Sequence, residues 1–277
     1  MTSTQSPLAD IGTVRFPNGQ PLTVRVANAV RDLRRTFPFE GYLDHTTLGC
    51  ASIAAAVARR LPAGSSILDF GCGPCDKTAT LALLGYRCSA IDDLNDTWHL
   101  EPRNRERIAD FAAAMGIDFR LSAGQPVPWP AETFDLVMLT DVIEHLRESP
   151  RHLANILLRV LKRNGLLLIT VPNAVNIRKR ISVARGRTNY PPFESFFWSD
   201  VWRGHVREYT KADLEALAEG LGLAIDALHA CDHMLYKVPR LLRPAWRLIT
   251  RLFPGWKDSW MLIARKPENW TPMRAKT

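Results

Sequence analysis

Along this chain the spacing of apolar positions changes repeatedly, and the changes predict strands alternating with helices. After Pro62-Ala63-Gly64 the run Ile67-Leu68-Asp69-Phe70 stops at Gly71, which predicts a short buried strand. Helix-compatible sequence follows from Asp76 to Leu84, then a second strand from Arg87 to Ile91. Further apolar runs predict strands over 118–121, 134–140, 166–171, 224–230 and 259–264. Helices are predicted over 150–161, closed by Arg163-Asn164-Gly165, and over 211–221, with Thr210 as N-cap. Such alternation is the pattern of a parallel α/β sheet. Upstream, 24–35 and 47–61 read as helices, the second Ala-rich with Arg59-Arg60 in its last turn, while Met1 to Gln20 has few apolar anchors and reads as partly disordered. There is no internal repeat.

The expected division is a helical N-terminal extension over 1–62, one α/β domain over 63–267 and a tail over 268–277. Within the domain, the connection at about 174–209 is too long for a plain loop. It carries Arg178, Lys179, Arg180, Arg185 and Arg187, then Tyr190, Phe193, Phe196, Phe197, Trp198 and Trp202, and reads as a lid or as a helical cap with its own small core. A second basic segment, about 236–257, would place Arg240, Arg243, Arg247 and Arg251 on one helical face, with Leu241, Leu242, Trp246, Leu248, Ile249 and Phe253 over much of the rest. Pro244 and Pro254 limit that helix, which suits either packing on the domain or an anionic membrane surface.

At 277 residues the chain is long enough for one full core, and 46% hydrophobic with 23% charged residues excludes a disordered or fibrous polymer. Met1 to Asp10 lacks the apolar core of a signal peptide, and no apolar run reaches the roughly 18–20 residues that span a bilayer. The five cysteines are scattered and odd in number, which suits a reducing cytoplasm, with the inner membrane face as a peripheral location. Cys72 and Cys75 form a C-x-x-C, open to a redox or zinc reading, but no second pair accompanies it. The net charge of +8 admits nucleic acid, anionic lipid or an acidic substrate, yet no RNA-binding module is recognisable.

Candidate chemistry begins at Gly71-Cys72-Gly73-Pro74-Cys75. A glycine turn at the end of a buried strand lets backbone approach a ligand closely. Asp92, 21 residues after Gly71 and at the tip of the next strand, suits a ribose diol; its neighbour Asp93 could replace it in a shifted register. Asp69, two residues before Gly71, would repel a pyrophosphate but suits a cofactor carrying ammonium or sulfonium. These residues resemble the first motif of class I S-adenosylmethionine (SAM)-dependent methyltransferases, hh(D/E)hGxGxG, through Ile67, Leu68, Asp69, Phe70, Gly71 and Gly73; Cys75 stands at the third glycine. The resemblance covers about 64–265. It implies a Rossmann-like seven-stranded sheet flanked by helices, the seventh strand inserted antiparallel beside the fifth. It implies SAM as cofactor, held by Asp69, Gly71, Cys72, Gly73, Asp92, Asp93, Leu94, Ala123 and Thr140, with Leu94 against the adenine. Ala123 stands where the family often has an acid for the adenine amino group.

The segment Asp141-Val142-Ile143-Glu144-His145-Leu146, just past the strand Phe134–Thr140, resembles the acidic-His segment of ubiquinone-type O-methyltransferases. His145 there is a candidate general base on a hydroxyl, with His205 as helper; the alternative is that Glu144 and His145 only line the pocket. RNA 3′-end methyltransferases use a similar segment with a later His to hold a divalent cation. Asp141, Glu144, His145 and His205 therefore form a candidate ligand set, although a later His pair of that family is missing. Val171-Pro172-Asn173 and Gly204-His205-Val206-Arg207-Glu208-Tyr209-Thr210 resemble a bacterial subgroup that methylates natural products, lipids and surface glycans. The resemblance implies methylation, most simply of oxygen, on a small-molecule or amphipathic acceptor. RNA methylation and a SAM-binding partner protein without activity are the alternatives.

Overall fold

The computed structural model describes residues 22–96, 98–122, 127–188 and 190–273; the disorder expected for 1–20, and Ala123, lie outside them. Two helices, α1 (Leu22–Thr36) and α2 (Leu43–Ala58), lead into β1 (Ser66–Phe70), α3 (Asp76–Leu83) and β2 (Arg87–Asp92). Then come α4 (Asn104–Ala114), β3 (Asp118–Leu121), β4 (Phe134–Thr140), α5 (Pro150–Val160) and β5 (Leu161–Pro172). The chain continues through α6 (Ile177–Ala184), α7 (Phe193–Phe197), α8 (Lys211–Gly220), β6 (Ala224–Cys231), α9 (Arg243–Leu252) and β7 (Ser259–Arg265).

The strands form one sheet in the order β3-β2-β1-β4-β5-β7-β6. All neighbours are parallel except β7, which runs antiparallel between β5 and β6, as the resemblance implies. The centre of β1 and nearly all of β4 are buried, which is why they read as unbroken apolar runs rather than alternating ones. Successive β4 side chains point to opposite faces and so serve two cores. Leu136 and Met138 pack with α1, α2, α3 and α4, through Leu33, Ile53, Leu81 and Ile108. Val137 and Leu139 pack with α5 and α8, through Leu157 and Leu214. The N-terminal helices therefore share the first core with the sheet. Chain order reverses direction between β1 and β4, and the crevice beyond the carboxyl ends of these strands is where open α/β sheets bind ligands.

Several boundaries differ from expectation. The helix at 150–161 ends at Val160: Leu161 is already extended and pairs with Phe134, so Asn164-Gly165 lies inside β5 where its register with β4 shifts, with Asn164 at φ 58°, instead of closing the helix. The second helix lies earlier than 47–61, starting at Leu43, with residues 59–61 leaving it before Pro62. The basic segment is not one helix. Short 3₁₀ turns at Leu235–Lys237 and Arg240–Leu242 precede α9, so Arg240 stands outside it. Helix α4 was not anticipated; its buried residues Asn104, Ile108, Phe111 and Ala112 follow helical spacing within a charged stretch.

Candidate active site

The glycine turn leaves β1 with Gly71 at φ 74°. A Cβ there would lie 2.5 Å from Val142 Cγ2, so both backbone and space call for glycine. Asp92, at the tip of β2, straps the turn down: its Oδ2 accepts from the Gly73 N–H and its Oδ1 from the Leu94 N–H, both at 2.7 Å. Burial raises the Asp92 pKa, and these two bonds work against that rise. Cys75 opens α3 at φ 62°, an unfavourable angle for a side chain-bearing residue, with its Sγ 3.6 Å from that of Cys72.

Asp69 is fully buried behind the turn, where Thr78 donates to its Oδ2 at 2.6 Å and Oδ1 has no partner. Burial pushes its pKa up to about 6, against the opposing pull of Thr78 and Lys77. Lys77, from the first turn of α3, lies 3.7 Å from Asp141. Burial opposes its charge, but Asp76 and Asp141 overcome this and hold its pKa well above the ordinary value.

A cavity of about 710 Å³ opens at the carboxyl ends of β1, β2 and β4. Of the residues expected from sequence, Gly71, Cys72, Gly73, Asp92, Asp93, Thr140 and His145 line it. Asp69 and Leu94 do not. Leu94 is buried at φ 46° and contributes its N–H to Asp92, while Asp69 acts from beneath the turn. Asp93 turns to Asn95, accepting from its N–H and side-chain amide at 3.0 Å. The cavity joins a carboxylate beside a glycine turn, apolar walls from Phe70 and Ile91, and a volume in the range of cofactor pockets, a set that fits SAM. Ser122, at the end of β3, lines it as well, next to the position of Ala123.

The acidic-His segment is divided by the fold. Asp141 sits at φ 59° and faces Lys77 and the Thr170 hydroxyl, which donates to it at 3.3 Å. Glu144 is fully buried in a 3₁₀ turn over Ile143–His145, and its carbonyl accepts from the N–H groups of Val206 and Arg207 at 2.7 and 3.1 Å. Both of its carboxylate oxygens lack a hydrogen-bond partner; burial, then Asp141, raises its pKa well above the usual range. His145 Nδ1 lies 2.8 Å from the Arg203 carbonyl. Because a carbonyl only accepts, that bond requires Nδ1–H and leaves Nε2 with its lone pair in the neutral ring.

His205 stacks edge-to-face on His145, ring centroids 4.9 Å apart. Its Nδ1 meets Glu208 at 2.8 Å, and Glu208 also pairs with Lys179. Burial, then His145 and Lys179, push the His205 pKa down to about 4, so this ring is neutral at pH 7. His205 lines a second cavity of about 380 Å³, with Tyr190, Val206 and Glu208, rather than the first. Donor atoms of Glu144, His145 and His205 lie within 4.8 Å of one another, and Asp141 is outside that group. The four candidate ligands thus separate into three that converge and one committed to Lys77.

Trp202, one of the aromatics expected in the 174–209 segment, lines the cavity with its neighbours Val201 and Arg203. Other cavity residues were not singled out from sequence: Tyr42 and Thr46 come from the start of α2 and His99 from the connection after β2. None follows a strand or helix period that would mark it; each arrives through tertiary packing. Lys77 carried one weak signal, a cation just after a turn already read as ligand-binding.

Comparison with known proteins gives the chain a family. Residues 42–228 match the family model described as a methyltransferase domain, a span that begins at Tyr42 of the cavity wall. The ubiquinone biosynthesis O-methyltransferase of Methylocella silvestris is 34% identical over 83 residues, 30% of each chain. The human mitochondrial ubiquinone biosynthesis O-methyltransferase is 29% identical over 168 residues, 60% of this chain and 43% of that one. The chain thus spans less than half the length of these curated relatives. Among solved structures, a SAM-dependent methyltransferase from Aquifex aeolicus superposes with TM-score 0.52 at 15% identity, over 85% of this chain and 97% of that one. The N-methyltransferase NodS from Bradyrhizobium japonicum, in complex with S-adenosyl-L-homocysteine, gives 0.50 at 16% identity, over 87% and 100%. At such identities the likeness is one of fold. With the family match over most of the chain and a cavity built on the glycine turn and Asp92, the chain belongs to the methyltransferase-domain family.

Proposed function

We propose that the acceptor is a hydroxyl on an amphipathic small molecule, lipid-linked or glycan-linked, and that His145 is its general base. When bound, SAM supplies a methyl group on a sulfonium, which a nucleophile takes in line as S-adenosylhomocysteine leaves. Gly71, Gly73, Asp92 and Asp93 would hold the nucleoside half. Lys77 and Asp141 pair beside the turn and balance each other's charge on the cavity wall. His145 carries the reading. It lines the cavity, and its Nδ1 is committed to the Arg203 carbonyl, so Nε2 is the atom available to take a hydroxyl proton. Arg203 belongs to the segment 174–209, so the same bond couples the base to a lid over the acceptor. The extension 1–62 supplies Tyr42 and Thr46 to the wall, and 236–257 is proposed to flank the entrance. The names of the curated relatives favour oxygen as the methylated atom.

A second reading is supported by the convergence of Glu144, His145 and His205, with the Glu144 carboxylate buried and unpartnered. One carboxylate and two imidazoles fit a divalent cation such as Mg²⁺, Mn²⁺ or Zn²⁺. In that case His145 is a ligand and the cation would orient the acceptor oxygen.

The test is His145→Ala against a panel of phenolic and lipid-linked alcohols. A base predicts kcat lower by about 10²-fold or more with S-adenosylhomocysteine affinity unchanged. Undiminished turnover removes the base. Loss of activity in EDTA, restored by Mg²⁺ or Mn²⁺, selects the cation reading.

A further inference from the structure

We infer that α6, α7 and α9 together form a basic, apolar face that seats the enzyme on an anionic lipid bilayer. α9 buries only Trp246 and Thr250, one turn apart, with Arg243 and Ile249 half-buried, and leaves Arg247, Leu248, Arg251 and Leu252 exposed. Leu241 is 94% exposed, Leu248 61% and Leu252 66%. α7 buries nothing: Phe193 is 72% exposed and Trp198 76%. Large side chains left in water at this density mark a docking surface.

Charge identifies what docks. No Asp or Glu occurs from 174 to 193 or from 233 to 257, whereas both stretches carry arginines; α7 itself holds Glu194 and no arginine, so the charge of the face comes from α6 and α9 and α7 contributes aromatic groups. Arg180, Arg185, Arg187, Arg240, Arg247 and Arg251 are all exposed. Arg207, further along the chain, has Asp213 as its partner; among the described residues these six have no such carboxylate. The two stretches are joined at their roots. Arg178 reaches Met234 at 4.0 Å, and Asn173 donates to the carbonyls of Gly255 and Lys257 at 2.8 Å each. Val201, Trp202 and Arg203, where the first stretch returns, form part of the wall of the larger cavity. A surface seated on this face lies beside the entrance.

Exposed arginines flanking exposed leucines match a bilayer in particular. The arginines meet lipid phosphates, and the aliphatic groups enter the acyl boundary. A second copy of the chain would bring like charges together. Single-stranded RNA could stack on the α7 aromatics, but it gives the exposed Leu241, Leu248 and Leu252 nothing to bury into, whereas an acyl boundary does. No helix among the described residues is long and apolar enough to cross a membrane, so the contact is interfacial. The inference gives the amphipathic-acceptor reading a route for its substrate, but vesicle binding is measured without methyl transfer, so either can fail alone.

The experiment is flotation of the full chain with phosphatidylcholine vesicles, with and without phosphatidylglycerol, at low and high salt. Partition onto the anionic vesicles is expected at low salt and should fall at high salt. The Leu241→Ser/Leu248→Ser/Leu252→Ser variant should lose about tenfold or more of that partition, and Arg247→Gln/Arg251→Gln roughly fivefold for each arginine removed. Both variants should keep S-adenosylhomocysteine affinity, which controls for folding. No partition at low salt, or partition unaffected by the leucine changes, overturns the inference. So does a solution dimer that the leucine changes dissolve, or RNA binding that competes with vesicles and survives those changes.

Discussion

Asp92→Asn changes almost no volume, yet it should unfasten the cofactor turn. The carboxylate accepts two backbone N–H groups at 2.7 Å, one from Gly73 within the turn and one from Leu94 beyond β2. An amide keeps one acceptor oxygen and presents an N–H to the other donor, so one bond is lost and replaced by opposed donors. Hydrogen bonds to a charged acceptor contribute about 1.5–3 kcal/mol each. The free protein should lose about that much local stability, which lowers Tm by several degrees in a chain of this size. The same carboxylate is the proposed ribose partner, so S-adenosylhomocysteine should bind roughly 10- to 150-fold more weakly. Isothermal titration of both proteins, alongside thermal melts, reads the two effects separately. Affinity within twofold of the original protein would refute both the strap and the ribose assignment.

Gly71→Ala forces alanine to φ 74° and places its Cβ 2.5 Å from Val142 Cγ2; a loss of about 2–3 kcal/mol is expected in denaturant unfolding, and adding Val142→Ala should recover only the steric part. Full recovery in the double variant would show that backbone strain contributes nothing. Asp69 tests the electrostatics of the turn. Its folded pKa of about 6 exceeds the ordinary 3.8, so the folded state holds the proton more tightly. This group's contribution to stability therefore falls as pH rises from about 4 to 6 and is flat above, by on the order of 3 kcal/mol. Urea unfolding of the original protein and Asp69→Asn at pH 4.5 and 7 isolates it: stability should fall more steeply with pH when Asp69 is present, and parallel curves would contradict the assignment.

The centre of the fold was legible because its physics is local. β1 and β4 are buried on both faces and so show as continuous apolar runs, and Gly71 marks a backbone that only glycine relieves. Asp92 was placed by its distance from that turn, although its role as a strap, which depends on Leu94 folding back at φ 46°, carried no sequence signal.

 The misses are non-local. Asn164-Gly165 looks like a helix stop, but Leu161 is held in the sheet by Phe134, a pairing that spacing alone does not reveal. Tyr42, Thr46 and His99 reach the cavity only because α1 and α2 pack on α3 and the connection after β2 folds over the turn. The acidic-His segment read as one ligand set, but Asp141 takes a left-handed angle that turns it to Lys77, away from Glu144 and the two histidines.

The central claim is that the cavity over the glycine turn holds SAM with its reacting end toward His145. A crystal structure of the protein with S-adenosylhomocysteine tests it most directly. The account predicts the ribose hydroxyls on the Asp92 carboxylate, backbone of Gly71–Gly73 against the ligand, and the thioether sulfur facing the side of the cavity that His145 and Arg203 line. Ligand bound elsewhere, or bound here with Asp92 still turned wholly to Gly73 and Leu94 and the sulfur facing away from His145, would contradict it.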